Sequence, residues 1–224
     1  MGTVLLIRHG QSVANAGGVL AGRLPGVDLD EVGQSSAKGL GEIFQQLPIA
    51  AVVSSPLERT VQTAELLFGQ GQQIHLEDQL IECDYGAWQG RLLSELATEP
   101  LWSAVQNEPE TVTFPEGESM LQMAARASKS IRDWDAKITA EHGETAVWAA
   151  ISHGDVIKAI CADALDLPLR NFQRIAVEPL SISAVQYGPD FTRVHKLNDT
   201  GLQWLDNLIK INKSDQTVGG EVTT

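Results

Sequence analysis

The sequence predicts an α/β fold with a mostly parallel central sheet and a C-terminal hairpin that adds antiparallel pairing. Three observations carry that reading. Short continuous apolar runs, the signature of strands buried on both faces, recur along the chain. Segments with apolar residues at helical spacing separate them. Two of the apolar runs end in the same His-Gly pair.

Taken in order, "TVLLI" (Thr3 to Ile7) reads as the first strand and stops at Arg8-His9-Gly10. Leu40, Ile43, Phe44 and Leu47 recur at helical spacing. "AAVVS" (Ala50 to Ser54) reads as a second strand leading into "SSPLERTVQTAELL". There Ser55 and Glu58 have capping-box spacing and Pro56 suits the first helical position, so a helix is predicted to start with Arg59 in its first turn. "IECDYGAWQG", following Leu80, reads as a loop leaving a strand and bears Glu82 and Asp84. Met120, Met123, Ala127, Ile131, Trp134 and Ile138 predict a helix that opens after Ser119 and closes at Gly143. "AVWAAI" (Ala146 to Ile151) is the third strand and ends at Ser152-His153-Gly154. "SISAVQYG" and "TRVHKLND" flank Pro189 and Asp190, which predicts the hairpin. A single domain is expected over residues 1–205, with a flexible tail over 206–224, where "SDQTVGGEVTT" has almost nothing to bury.

Composition narrows the function classes. A chain of 224 residues, 43% hydrophobic, can bury one proper core. Its longest apolar runs fall far short of the roughly 20 residues of a membrane span, and no basic stretch followed by an apolar segment opens the chain. A soluble, cytoplasmic protein without a membrane partner is expected. The net charge of -13 argues against nucleic acid as a partner, yet a small anion can bind wherever the few arginines gather. Cys83 and Cys161 form no CxxC and no close Cys/His cluster, so free thiols are expected and no zinc site.

In open α/β sheets, ligands bind at the carboxyl ends of the strands. If the three strands are neighbours, Arg8, His9, Arg59 and His153 converge on one pocket. A phosphate is its natural occupant. Guanidinium forks match phosphoryl oxygens, a helix N-terminus favours an anion, and Gly10 and Gly154 allow the backbone to come close. Phosphoryl transfer asks for positioning and charge neutralisation above all. A neutral imidazole is also a competent nucleophile when its other ring nitrogen is held by a backbone acceptor.

The chain resembles the histidine phosphatase superfamily, in its phosphoglycerate mutase-like branch. "LIRHGQSVAN" looks like the RHG signature, "SSPLERTVQTAE" like the second arginine motif, and "LIECDYGAWQG" like the acid-bearing segment. "FPEGES" and "ISHGDVIKA" follow in family order, so the resemblance spans Leu5 to Ala159. It implies a three-layer α/β/α sandwich with no metal or other cofactor. It implies that His9 is transiently phosphorylated, that Arg8, Asn15, Arg59 and His153 bind the phosphoryl oxygens, and that Glu82 is the proton donor. From the residues alone, a carboxyl on that loop can protonate a leaving oxygen and then activate water, and Asp84 is the alternative. Gln11 stays open as a second amide donor, and Tyr85 and Trp88 as either site wall or core.

Between Arg91 and Glu118 every charged residue after Arg91 is acidic, which suits poorly a small carboxylate bearing two phosphates. The acid segment also looks closer to the phosphatase members, and the mutases' longer insertion before "PEGES" is lacking. The expectation is therefore a metal-independent phosphoric monoester hydrolase of the histidine acid type, acting through phosphohistidine on a small phosphorylated metabolite. Mutase-type phosphoryl transfer is the alternative, a non-catalytic phospho-ligand module the second, and the chain is expected as monomer or homodimer.

Overall fold

The computed structural model describes residues 2–69 and 71–201, so the expected domain boundary at 205 and the tail beyond it lie outside the described residues. The chain runs through β1 (Thr3–Arg8), a one-turn α1 (Val13–Ala16), α2 (Glu31–Phe44), β2 (Val52–Ser54), α3 (Glu58–Phe68) and β3 (Ile74–Leu76). Two short helices, α4 (Leu93–Leu96) and α5 (Trp102–Asn107), precede the long α6 (Met120–His142). Then come β4 (Val147–Ser152), α7 (Gly154–Ala164) and the hairpin of β5 (Ile182–Tyr187) and β6 (Thr192–Asp199).

The six strands form one sheet in the order β3-β2-β4-β1-β5-β6. Pairing is parallel from β3 across to β1, with Ile7 opposite Ile151 and Ser54 also opposite Ile151, and antiparallel for β1–β5 and β5–β6. The fold is the α/β/α sandwich, and the apolar strand runs explain its layers. Alternate residues of a strand point to opposite faces, so a strand covered on both sides must be apolar throughout. Leu5, Ile7, Val52, Ala149 and Ile151 meet Phe44, Ala64 and Leu67 of α2 and α3 on one face. Val4, Leu6, Val53, Trp148 and Ala150 meet Met123, Ile131, Ile157 and Ile160 of α6 and α7 on the other. Among the described residues no helix is long and apolar enough to cross a membrane.

Local chemistry sets most boundaries. Ser119 and Gln122 close a reciprocal capping box at the start of α6, and Gly143 ends it at φ 93°. Asp30 caps α2 by accepting from the Gly33 N–H at 2.7 Å. Two expectations are corrected. Helix α3 begins at Glu58 with Leu57 as its N-cap and no side-chain cap, because the Ser55 hydroxyl is turned to His153 at 2.8 Å and meets only the Leu57 N–H, at 3.5 Å, ahead of the helix. The segment before Glu82 is no strand: β3 ends at Leu76, and Leu80 closes a single 3-10 turn over Asp78–Leu80. Strand β3 itself carries no clear sequence signal, being three residues at the sheet edge.

Because β2, β4 and β1 are adjacent and parallel, their carboxyl ends lie side by side. Arg8 and His9 leave β1 there, Ser55 leaves β2, and His153 leaves β4.

Candidate active site

The backbone of the first loop is clamped before any side chain acts. The Arg8 N–H donates to the Ser181 carbonyl at 3.2 Å, the His9 N–H to the Ser152 carbonyl at 3.0 Å, and the Gly10 N–H to Thr63 Oγ1 at 3.0 Å. His9 is 3% exposed and its Nδ1 lies 2.7 Å from the Gly10 carbonyl. A carbonyl only accepts, so Nδ1 carries the proton and Nε2 keeps its lone pair. Arg59 Nε donates to that Nε2 at 3.3 Å.

Arg59 leads out of α3 into the same space and is 2% exposed. One terminal nitrogen donates to the Gly22 carbonyl at 2.8 Å and to His153 Nδ1 at 3.2 Å. Since an arginine only donates, His153 Nδ1 is the acceptor and its Nε2–H points to Ser55 Oγ, 2.8 Å away. The His9 and His153 rings stand edge to face with centroids 5.3 Å apart. Arg8 donates to the Val177 carbonyl at 2.6 Å. Arg8 Nε and Arg59 NH1 are buried without any hydrogen-bond partner. Two such cationic donors at one place mark a site shaped for an anion, because an unpaired buried donor is costly.

Protonation states follow from these surroundings. Burial, then the positive charges of Arg59 and Arg8, hold His9 well below the usual imidazole range. His153 is lowered likewise, first by burial and then by Arg59, His9 and Arg8. Both rings are neutral near pH 7.

Glu82 sits on the loop after the 78–80 turn, 9% exposed, with Oε1 accepting from the Cys83 N–H at 2.8 Å. Burial, and next the nearby Asp155 carboxylate, raise it to about 7, so at neutral pH a large share of the carboxyl keeps its proton. Its main-chain carbonyl is gripped by Arg23 Nε at 2.8 Å and Arg126 at 3.1 Å. Both arginines also bind Glu118 Oε1, at 2.8 and 2.7 Å. Glu118 Oε1 further accepts from the Asp84 N–H at 3.0 Å.

A cavity of about 410 Å³ opens over this cluster, lined by Arg8, His9, Asn15, Arg59, Glu82 and Gly154 among others. Of the six residues the sequence singled out for phosphate or catalysis besides Glu82, five line it; His153 is fully buried and touches the cavity residues through Arg59 and His9. Asn15 Oδ1 accepts from the Ser12 N–H and hydroxyl, so its NH₂ is the end that can donate into the cavity. Gly154 opens α7, and a Cβ there would stand 3.5 Å from the Arg8 guanidinium. Asp84 does not line the cavity; its carboxylate takes the Gly86 N–H at 3.0 Å and faces Arg23 at 3.6 Å. Gln11 is committed to Asp30 at 2.7 Å. Tyr85 and Trp88 are both core and wall, 5% and 4% exposed yet lining the cavity.

The acidic covering segment needs correction. Glu95 and Glu99 turn to Arg91, Glu110 to Arg170, and Glu118 to Arg23 and Arg126. None of them lines the cavity; Leu93, Trp102, Val105 and Phe114 do. Sequence reasoning also missed Ser55, Arg23, Arg126 and Asp155. Ser55 and Asp155 lie inside the quoted "SSPLERTVQTAE" and "ISHGDVIKA", and Glu118, the partner of Arg23 and Arg126, inside "FPEGES"; Arg23 and Arg126 lie in none of the quoted motifs.

The chain is 30% identical over 187 residues to a probable phosphoglycerate mutase GpmB of Erwinia tasmaniensis, covering 82% of this chain and 84% of that protein. It is 29% identical over 201 residues to phosphoserine phosphatase 1 of Hydrogenobacter thermophilus, covering 88% and 92%. Among solved structures, Bacillus stearothermophilus YhfR superposes with a TM-score of 0.81 at 23% identity, covering 90% of this chain and 98% of that one. A mycobacterial glucosyl-3-phosphoglycerate phosphatase in complex with VO3 gives 0.78 at 25% identity, covering 88% and 99%. The sequence profile of the histidine phosphatase superfamily (branch 1) matches residues 4–200, and the chain belongs to that family.

Proposed function

We propose that this protein hydrolyses phosphate monoesters through a phosphohistidine formed on His9. The observation that carries the proposal is the lone pair of His9 Nε2, its tautomer fixed by the Gly10 carbonyl and its only hydrogen bond among the described residues the long one from Arg59 Nε, beside two unpaired guanidinium donors and in one cavity with the Glu82 carboxyl, whose affinity for a proton burial raises. In this reading Arg8, Arg59, the Asn15 amide and the amide of Gly154 at the start of α7 hold the phosphoryl oxygens. His9 Nε2 forms the N–P bond as the P–O bond to the alcohol breaks, and Glu82 gives its proton to the leaving oxygen. Glu82, now a carboxylate, takes a proton from water while that water's oxygen attacks phosphorus. The N–P bond breaks, phosphate leaves and Glu82 is protonated again. His153, kept neutral chiefly by burial, holds Arg59 through its Nδ1 and so acts on the phosphoryl oxygens by positioning that guanidinium.

Hydrolysis is favoured over transfer because the similar proteins named phosphoserine phosphatase and glucosyl-3-phosphoglycerate phosphatase are named for it. The likeness to a probable phosphoglycerate mutase supports transfer to a second hydroxyl as the other reading. One experiment addresses both. The protein is mixed with a ³²P-labelled monoester in the presence of chelator and quenched in alkali. Acid-labile label on His9 together with released phosphate supports the proposal. Label that moves to 3-phosphoglycerate faster than to water replaces it with the mutase reading, and no label with no release leaves a phosphate-binding module.

A further inference from the structure

The phosphoryl end accounts for only part of the cavity. Its other end is walled by Leu93, Trp88, Trp102, Val105 and Phe114. These are not separate side chains but a preformed aromatic surface. Trp88 stacks on Trp102 with centroids 6.2 Å apart, and Phe114 meets Trp88 edge-on at 5.4 Å. Leu93, 41% exposed, stands at its rim.

Charge at this end is already balanced. Lys158 is the one cation lining the cavity besides Arg8 and Arg59 among the described residues, and it is engaged by Asp155 at 3.3 Å and the Gln173 side-chain oxygen at 3.0 Å. A carboxylate on the leaving group would have to take Lys158 from Asp155 while lying close to that carboxylate, which opposes it. An apolar group instead packs on the exposed Leu93 and the partly buried Trp102, beside the already buried Trp88 and Phe114, and gains with every methylene it takes out of water.

Resting on the hydrolase reading above, we propose that the substrate's alcohol is an uncharged apolar group, alkyl or aryl, seated against Trp102 and Leu93, and that these two residues set the preference. The test is kcat/KM across methyl, propyl and hexyl phosphate and naphthyl phosphate, with phosphoserine and 3-phosphoglycerate as carboxylate-bearing esters. The expected result is a rise of roughly 2–4-fold per methylene, and the carboxylate esters at least about tenfold below hexyl phosphate. Trp102→Ala flattens the rise. Leu93→Lys, a rim substitution that leaves the core untouched, lowers hexyl phosphate while raising phosphoserine relative to it. Phosphate release without a chain-length dependence, or with phosphoserine preferred, overturns this assignment and leaves the hydrolase reading standing. Release from none of the esters overturns that reading and this one with it.

Discussion

A protonated imidazole has no lone pair to offer phosphorus, so the useful property of His9 is how firmly its neutral form is held. Burial and two guanidinium groups oppose a charge on it, and the Gly10 carbonyl selects the tautomer. His9→Ala is expected to lower turnover more than about 1,000-fold and to leave no acid-labile label, because it removes the attacking nitrogen. Its far-UV circular dichroism should match that of the parent. Glu82 has the opposite bias, a carboxyl kept protonated by burial and by Asp155. With an alkyl leaving group, Glu82→Gln should cost about 10²–10⁴-fold, and much less with nitrophenolate, which needs little protonation. For the parent, kcat on an alkyl ester should fall as pH rises through about 7, where Glu82 loses its proton. Stability follows the same sign. A carboxyl raised from 4.5 to about 7 on folding stabilises the fold fully below its unfolded value and loses that contribution as pH rises through the folded one. Glu82→Gln keeps the acceptor for the Cys83 N–H but cannot ionise. Its melting temperature relative to the parent should therefore climb between pH 5 and pH 8, and an unchanging difference would mean that Glu82 is not protonated in the fold.

Between residue and fold stand the segments that aim the acid. The segment of Glu82 and the "FPEGES" segment touch backbone to backbone: the Glu118 N–H donates to the Asp84 carbonyl at 3.0 Å and the Ala87 N–H to the Pro115 carbonyl at 2.9 Å. Gly86, at φ 51°, leaves no room there, since a Cβ would stand 2.0 Å from the Pro115 carbonyl oxygen. Gly86→Ala should cost several kcal/mol, on the order of other clashes at special backbone positions, read as a lower denaturant midpoint. Glu118 draws Arg23 and Arg126 onto the Glu82 carbonyl, so Glu118→Gln should cost about 1–3 kcal/mol of stability and lower kcat more than it raises KM. Equal kcat on alkyl esters would show that the clamp serves the fold alone. What could be read from sequence at this scale depended on how local the cause was. The ends of α6 were legible because Ser119, Gln122 and Gly143 act within one turn. The start of α3 was misread because the partner of Ser55 is 98 residues away. Arg23 and Arg126 were invisible for the same reason: each acts on Glu82 from a distant stretch of chain.

At the scale of the whole molecule, the parallel arrangement was legible from strands apolar on both faces, and the shared His-Gly ends told which strand ends matter. The facing of the covering segment was not, because sequence shows that six glutamates are present but not that four of them pair with arginines and leave the cavity wall to apolar side chains. The same fold sets a contrast in charge. A chain of net charge -13 carries two guanidinium groups, that of Arg59 buried and that of Arg8 partly so, whose buried donors Arg8 Nε and Arg59 NH1 have no partner. An anion seated there satisfies both donors in the native state and binds the unfolded chain hardly at all, so it stabilises by mass action. Orthophosphate at about 100 times its dissociation constant should add about 2.7 kcal/mol, a melting shift of roughly 5–10 °C for a domain of this size. Sodium chloride at matched ionic strength supplies the same screening without the fork-shaped contacts, and should give little of that shift. Arg59→Met changes the starting stability but should also erase the response to phosphate. If the variant responds as the parent does, or if chloride equals phosphate, the unpaired donors of Arg8 and Arg59 are not what the anion meets.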